Sequence, residues 1–252
     1  MVVKLVLGSV NLLIDIGNTS VKYALYSPQT PLHALDVARA PLMELVSKAM
    51  IADHIYVCNV KENSTLIDFM QELDAVKHKI TIVNTKAEAF GIKNSYSDVT
   101  KMGVDRWMCM LACRALESKN FLVFHAGTAI TCDAVVGNKH LGGWICAGFM
   151  MSRSAVVANA DKVNDKQSSL ATLRFGNDTG DCVANGALAQ LIGLVMSGSK
   201  QFSCECKDYT IYIGGGDGRL LYENLPSELL SKSKYFENLV LIGLACVANN
   251  AT

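Results

Sequence analysis

The sequence predicts an α/β protein built from two similar halves facing each other across a cleft. A strand runs into a polar turn and a returning strand near residue 12, and the same arrangement recurs near residue 121. Helices and strands alternate after each start, which is a repeat of structure and not of sequence. Half of the 252 residues are hydrophobic, only 18% are charged and 4 are proline. Such a chain can fill one large core or two modest ones and offset the entropy of ordering. The boundary falls near residues 118–120, giving an N-terminal domain over 1–118 and a C-terminal domain over 119–252.

The elements follow in order. Residues 12–14 are a short apolar strand ending in Asp15-Ile16-Gly17-Asn18-Thr19, and 21–26 resume an extended pattern, so the two make a hairpin. Pro41 opens a helical pattern that runs to residue 50. A strand over 55–60, a helix over 64–73 and a strand over 80–83 come next. Residues 86–102 are polar and irregular and carry Asn94 and Tyr96; a long helix over 104–116 then begins, with Asp105 near its start. In the second half, strands over 121–124 and 130–136 flank the turn Gly127-Thr128, and Asn138-Lys139 turns the chain into a strand over 141–145. Residues 161–179 read as loop and 182–196 as an apolar helix. A strand over 210–213 ends in Gly214-Gly215-Gly216, and 238–249 form a closing helix.

Several function classes are excluded. Lys+Arg and Asp+Glu stand at 23 each, so there is no basic field to hold nucleic acid or an anionic membrane, and a small-molecule ligand is favoured. The nine cysteines are odd in number and scattered; Cys109/Cys113 and the single CxC of Cys204/Cys206 lack a companion pair at zinc spacing. They read as reduced thiols of a cytoplasmic protein. The apolar start, 1–10, continues into Asp15 without a small-residue cleavage site. No uncharged apolar run reaches the 18 residues or more of a membrane span. The histidines show no metal-ligand spacing, and His33, His54, His78 and His140 read as surface or loop residues. Neither GxGxxG nor GxxxxGK[ST] occurs, so neither a Rossmann nor a P-loop nucleotide site is present.

Three clusters carry chemistry. Asp15, Gly17, Asn18 and Thr19, with Lys22 three residues on, place a carboxylate, a close backbone approach, short hydrogen-bonding side chains and a mobile positive charge at a strand end. Such a set can hold Mg²⁺ through water and face phosphate oxygens, although the same residues suit an ordinary hairpin turn. Gly127-Thr128, followed by Thr131 and Asp133 on alternating strand positions, is a second turn of that kind. Two such turns would grip a triphosphate from both sides. Gly103-Val104-Asp105-Arg106 is the third; Asp105 suits a helix cap, yet with Arg106 it can orient an acidic, hydroxyl-bearing substrate, with Tyr96 and Asn94 completing a pocket. Gly142-Gly143 and Gly148 suit turns between strands or further close approach, and Gly214-Gly215-Gly216 would let a flat purine lie against the main chain.

These clusters, in this order from about residue 12 to the closing helix, resemble the type III pantothenate kinase family, also known as the Bvg accessory factor family. The segment from Asp15 to Lys22 is similar to its phosphate motif, Gly103 to Arg106 to its pantothenate motif and Gly127 to Asp133 to its second phosphate motif. Gly142-Gly143 with Gly148, and Gly176 to Thr179 with Gly186, resemble its later glycine and Gly-x-x-Thr segments. The resemblance implies two ribonuclease-H-like, actin-like domains related by duplication, with an interdomain cleft, and transfer of the ATP γ-phosphate to pantothenate at the start of coenzyme A synthesis. It makes Asp105 the base and gives the substrate Tyr96, Gly103, Arg106 and Thr179. Asp15, Asn18, Thr19, Lys22 and Thr128 would hold Mg²⁺ and the phosphates, beside Gly17, Gly127, Gly214 and Gly215. It also implies a homodimer, with an apolar surface around residues 184–196. The family usually carries an aspartate two residues before the second Gly-Thr, where it helps to bind K⁺ or NH₄⁺; this chain has His125, which implies that the cation requirement is weakened, lost or replaced. Ala147-Gly148 stands for the family's Pro-Gly, and Val99 or its neighbours for a proline before Gly103. Two alternatives stay open: a sugar kinase of the same superfamily, and a catalytically weakened member acting as a regulatory or interaction protein.

Overall fold

The computed structural model describes residues 9–60, 64–116, 119–160 and 171–250. The apolar start before residue 9, the boundary residue 118 and residues 161–170 of the expected loop lie outside the described residues. The chain forms two compact units, Met1–Glu117 with Asn238–Thr252, and Ser118–Glu237.

In the first unit, β1 (Asn11–Ile16) and β2 (Val21–Tyr26) form the expected hairpin. The short β3 (Ala38–Arg39) adds beyond β2, and β4 (His54–Asn59) and β5 (Ile80–Ile82) extend the sheet in parallel on the other side of β1. The strand order is β3-β2-β1-β4-β5. Side chains alternate along a strand. Leu12, Ile14 and Ile16 therefore face one side, where they pack with Ile55 and Val57 against Leu45, Ala49 of α1 (Val46–Ile51) and Phe69 of α2 (Ser64–Glu72). Leu13 and Asp15 consequently face the other side. That side carries α3 (Val104–Ala115) and the closing helix α8 (Leu239–Asn249). A small hairpin of β6 (Glu88–Ala89) and β7 (Ile92–Lys93) punctuates the segment expected to be irregular.

The closing helix corrects the expected domain division, which placed it with the C-terminal half. Residues 239–246 of α8 are buried in succession, as expected for a helix that is apolar all round. A Cβ on Gly243 would lie 2.2 Å from the Met108 carbonyl oxygen. Only glycine lets α8 press its backbone onto α3, and this packing assigns the helix to the first unit.

In the second unit, β8 (Phe121–Ala126), β9 (Ala129–Val136) and β10 (Lys139–Ala147) run antiparallel in succession. The strands β11 (Thr210–Gly214) and β12 (Ser233–Tyr235) join β8 in parallel, so the neighbours run β12-β11-β8-β9-β10. After β10 comes α4 (Phe149–Asn159), then the long α5 (Thr179–Glu205), and α6 (Gly218–Glu223) and α7 (Ser227–Leu230) lie between β11 and β12. Leu188, Leu191, Ile192, Val195 and Phe202 of α5 cover Leu122, Phe124, Ile130 and Cys132 of the sheet. By length and composition α5 is apolar enough to cross a membrane. Here its apolar side is spent on the core.

Two sequence expectations change in this unit. His140, expected at the surface, is buried, with its Nε2 3.0 Å from Asp133 Oδ1. This pair ties β9 to β10 and buries the Asp133 side chain. Gly142 takes φ +117° where the register shifts between His140 and Gly142. Leu141 is thus the extra residue of a bulge, and Gly142-Gly143 lie within one strand and do not join two strands.

Candidate active site

Asp15 sits near the end of β1, paired across the hairpin with Lys22 and in parallel register with Cys58. The turn that follows is closed by the Gly17 N–H donating to the Ser20 carbonyl oxygen at 3.2 Å. It presents Asn18 and Thr19 on the exposed surface. The Asp15 carboxyl is raised to about 7, chiefly by burial and then by the negative charge of Asp105, with Lys22 partly offsetting the rise. The buried Cys58 thiol is pushed well up by the same burial and by Asp15 and Asp105. Two carboxylates thus share one locality with little countercharge. Lys22 is held in place by donating from Nζ to Asn238 Oδ1 at 2.9 Å.

Asp105 lies in the first turn of α3, which Gly103 caps. The Arg106 N–H donates to Asp105 Oδ1 at 2.8 Å, so this first-turn carboxylate satisfies a helical N–H although it is not the cap. A Cβ on Gly103 would lie 2.6 Å from that same oxygen and would push the Asp105 side chain aside. Arg106 is buried and donates from Nη1 to the Tyr96 hydroxyl at 3.0 Å, with its guanidinium 5.8 Å from the ring centroid. Tyr96 is itself fixed, its N–H donating to Asn94 Oδ1 at 3.0 Å; Asn94 in turn donates to Met102 Sδ at 3.3 Å. Tyr96, Gly103, Asp105 and Arg106 therefore form one braced cluster.

In the second unit, three backbone segments converge on the Gly127-Thr128 turn. The Gly148 N–H donates to the Thr128 carbonyl oxygen at 3.1 Å, and a Cβ on Gly148 would stand 2.0 Å from the Gly127 oxygen. Gly215, at φ +90°, has room for no side chain either, since a Cβ would lie 2.2 Å from the Ala126 oxygen. Gly214 pairs with His125, and the Asp217 N–H donates to the Ala126 oxygen at 3.0 Å. The result is a wall of bare backbone around an exposed Thr128, suited to phosphate oxygens and a flat base. His125 is half-buried on β8, opposite Thr131. Thr179 is exposed in the first turn of α5, behind the Asp178 cap, whose side chain accepts from the Asp181 N–H at 2.9 Å.

The donor set bears on which metal it can hold. Among the described residues no group of three His, Cys, Asp or Glu side chains is placed to cage an ion. The Asp15 and Asp105 carboxylates, without a third such ligand, would suit Mg²⁺ that arrives with phosphate and do not fit a resident site.

Sequence reasoning missed Asn238, which lies 216 residues from Lys22 and leaves no local signal. It also missed the Asp133–His140 pair, for which strand alternation and the closeness of two polar residues on neighbouring strands were the available signs.

A mixed sheet with an acidic hairpin edge, and a second sheet with a glycine-lined Gly-Thr turn, define the α/β phosphotransferase class with an actin-like fold. Solved structures agree on the fold. A Thermus thermophilus ROK hexokinase matches with TM-score 0.51 at 14% identity, covering 94% of this chain and 97% of its own. A Baf family protein from Campylobacter jejuni matches with TM-score 0.59 at 20% identity over 95% and 98%. The family model described as type III pantothenate kinase matches residues 11–201, and the chain belongs to that family. Relatives of that name include one from Marinobacter nauticus, 34% identical over 94% of this chain and 98% of the relative. Another, from Pseudoalteromonas atlantica, is 31% identical over 92% and 95%.

Proposed function

We propose that this chain transfers the γ-phosphate of ATP to pantothenate, giving 4′-phosphopantothenate at the first step of coenzyme A synthesis. The observation that carries the reading is the meeting of Asp15, Asp105 and Lys22 in one locality, in a member of the type III pantothenate kinase family. Phosphoryl transfer asks a protein chiefly for alignment and neutralisation of charge.

Asp15, Gly17, Asn18, Thr19 and Lys22 hold the phosphates, with Asp15 meeting Mg²⁺ through water. The metal, when bound with ATP, supplies charge neutralisation at the phosphate oxygens. Gly127 and Thr128 present backbone and hydroxyl donors, and Gly214 and Gly215 offer bare backbone to the nucleotide. Arg106, steadied by Tyr96, pairs with the pantothenate carboxylate, and Gly103 and Thr179 complete the substrate contacts. Asp105 accepts the proton of the attacking hydroxyl, a role that needs acceptance only late in a loose transition state.

The imidazole of His125 stands where the family places a carboxylate for a monovalent cation, and hard alkali ions prefer oxygen donors. Activation by K⁺ or NH₄⁺ should therefore be weakened, lost or replaced by another arrangement; a steep rise of rate with either ion would refute this. The chain acts as a homodimer in the cytoplasm, without nucleic acid or membrane. Exposed Met150, Met151, Val156 and Val157 on α4, with exposed Met196 on the adjoining α5, support the dimer. Coupled detection of ADP with pantothenate and Mg-ATP tests the activity directly. A folded protein that releases no ADP would favour the regulatory alternative.

A further inference from the structure

We infer that Asn238 is a positioning residue that aims Lys22 at the nucleotide phosphates; the inference rests on the reading of Lys22 as a phosphate ligand. Asn238 stands immediately before α8, where an asparagine side chain ordinarily accepts from an N–H of the first helical turn. It makes no such cap. Its Oδ1 accepts instead from Lys22 Nζ at 2.9 Å, while the helix keeps its backbone bond from the Ile242 N–H to the Asn238 carbonyl oxygen at 3.1 Å. The side-chain oxygen therefore serves the lysine and not the helix.

Lysine is a compact charge on a flexible stem, and fixing that stem opposes binding unless something has already fixed it. Asn238 does so for a lysine that lies directly across the hairpin from Asp15. Being neutral, the amide holds the ammonium without cancelling its charge, as a carboxylate at this position would. An ammonium carries three donors, so the bond to Asn238 is compatible with reaching a phosphate oxygen.

The test compares Asn238→Ala with the wild type, each with Lys22 intact and in a Lys22→Ala background. With Lys22 present, the substitution should raise KM for ATP about tenfold, as expected when binding must itself order the lysine stem. The turnover number, the KM for pantothenate and the melting midpoint should hold. Without Lys22 it should raise KM for ATP no further. An unchanged KM, or an equal effect in both backgrounds with a lowered midpoint, would overturn the role. Calorimetric titration of Mg-ATP into pantothenate-free protein gives the same comparison without turnover. A chain that binds Mg-ATP but leaves pantothenate untouched would defeat the kinase reading and still decide what Asn238 does; one that binds no Mg-ATP overturns both.

Discussion

Replacing Asp15 by asparagine should stabilise the ligand-free protein at neutral and alkaline pH while abolishing activity. The carboxyl is raised from 3.8 to about 7, first by burial and then by Asp105. Folding therefore takes up a proton between these values, and stability falls as pH rises from about 4 to about 7. Above that window the loss is complete; below it both states are protonated and the loss vanishes. The difference between 3.8 and about 7, at about 1.4 kcal/mol per pKa unit, sets a ceiling of ~4 kcal/mol. Local relaxation and water entry should halve this, leaving ~2 kcal/mol, or roughly 4–8 °C in melting midpoint for a chain of this length. Thermal melts of wild type and Asp15→Asn without Mg²⁺ or nucleotide, from pH 5 to pH 8.5, measure it. The midpoint advantage should grow with pH and level off above 7. An asparagine variant less stable than the wild type at pH 8, or an advantage that does not change with pH, would refute the reasoning.

Two further substitutions probe the rest of the site. Gly148→Ala would put a methyl 2.0 Å from the Gly127 oxygen; it should cost at least about 2 kcal/mol, read as a lowered melting midpoint, and weaken ATP binding by displacing the turn. Arg106→Lys keeps the charge but loses the fork that meets the Tyr96 hydroxyl at 3.0 Å. It should raise KM for pantothenate about tenfold and leave KM for ATP unchanged, and steady-state kinetics with each substrate varied in turn will check both.

The strands and the opening turns were legible because period-two patterning and Gly/Asp/Asn/Thr punctuation are local signals. β2 occupies the expected residues, and β1, β8 and β9 extend only slightly beyond theirs. Helix α4 left no such signal. Its apolar residues are spread around the cylinder, with Met150, Met151, Val156 and Val157 exposed beside buried Phe149, so no single stripe marks it. The short β12 and the helices α6 and α7 went unread for want of length. Residue type and spacing singled out Asp15, Asp105, Arg106 and Tyr96 as candidates. The raised Asp15 carboxyl and the grip of Asn238 on Lys22 depend on burial and on contacts distant in sequence. The misplacement of His140 has the same origin: only pairing across β9 and β10 reveals its buried partner, Asp133.

Pantothenate-dependent ADP release from Mg-ATP, measured beside Asp105→Asn, tests the central claim most directly. The wild type should turn over, and the asparagine variant should lose about 10²–10⁴-fold in turnover number with KM for ATP little changed. Turnover that survives in Asp105→Asn would contradict the assignment of the base, and a folded wild-type protein that releases no ADP with pantothenate would contradict the kinase itself.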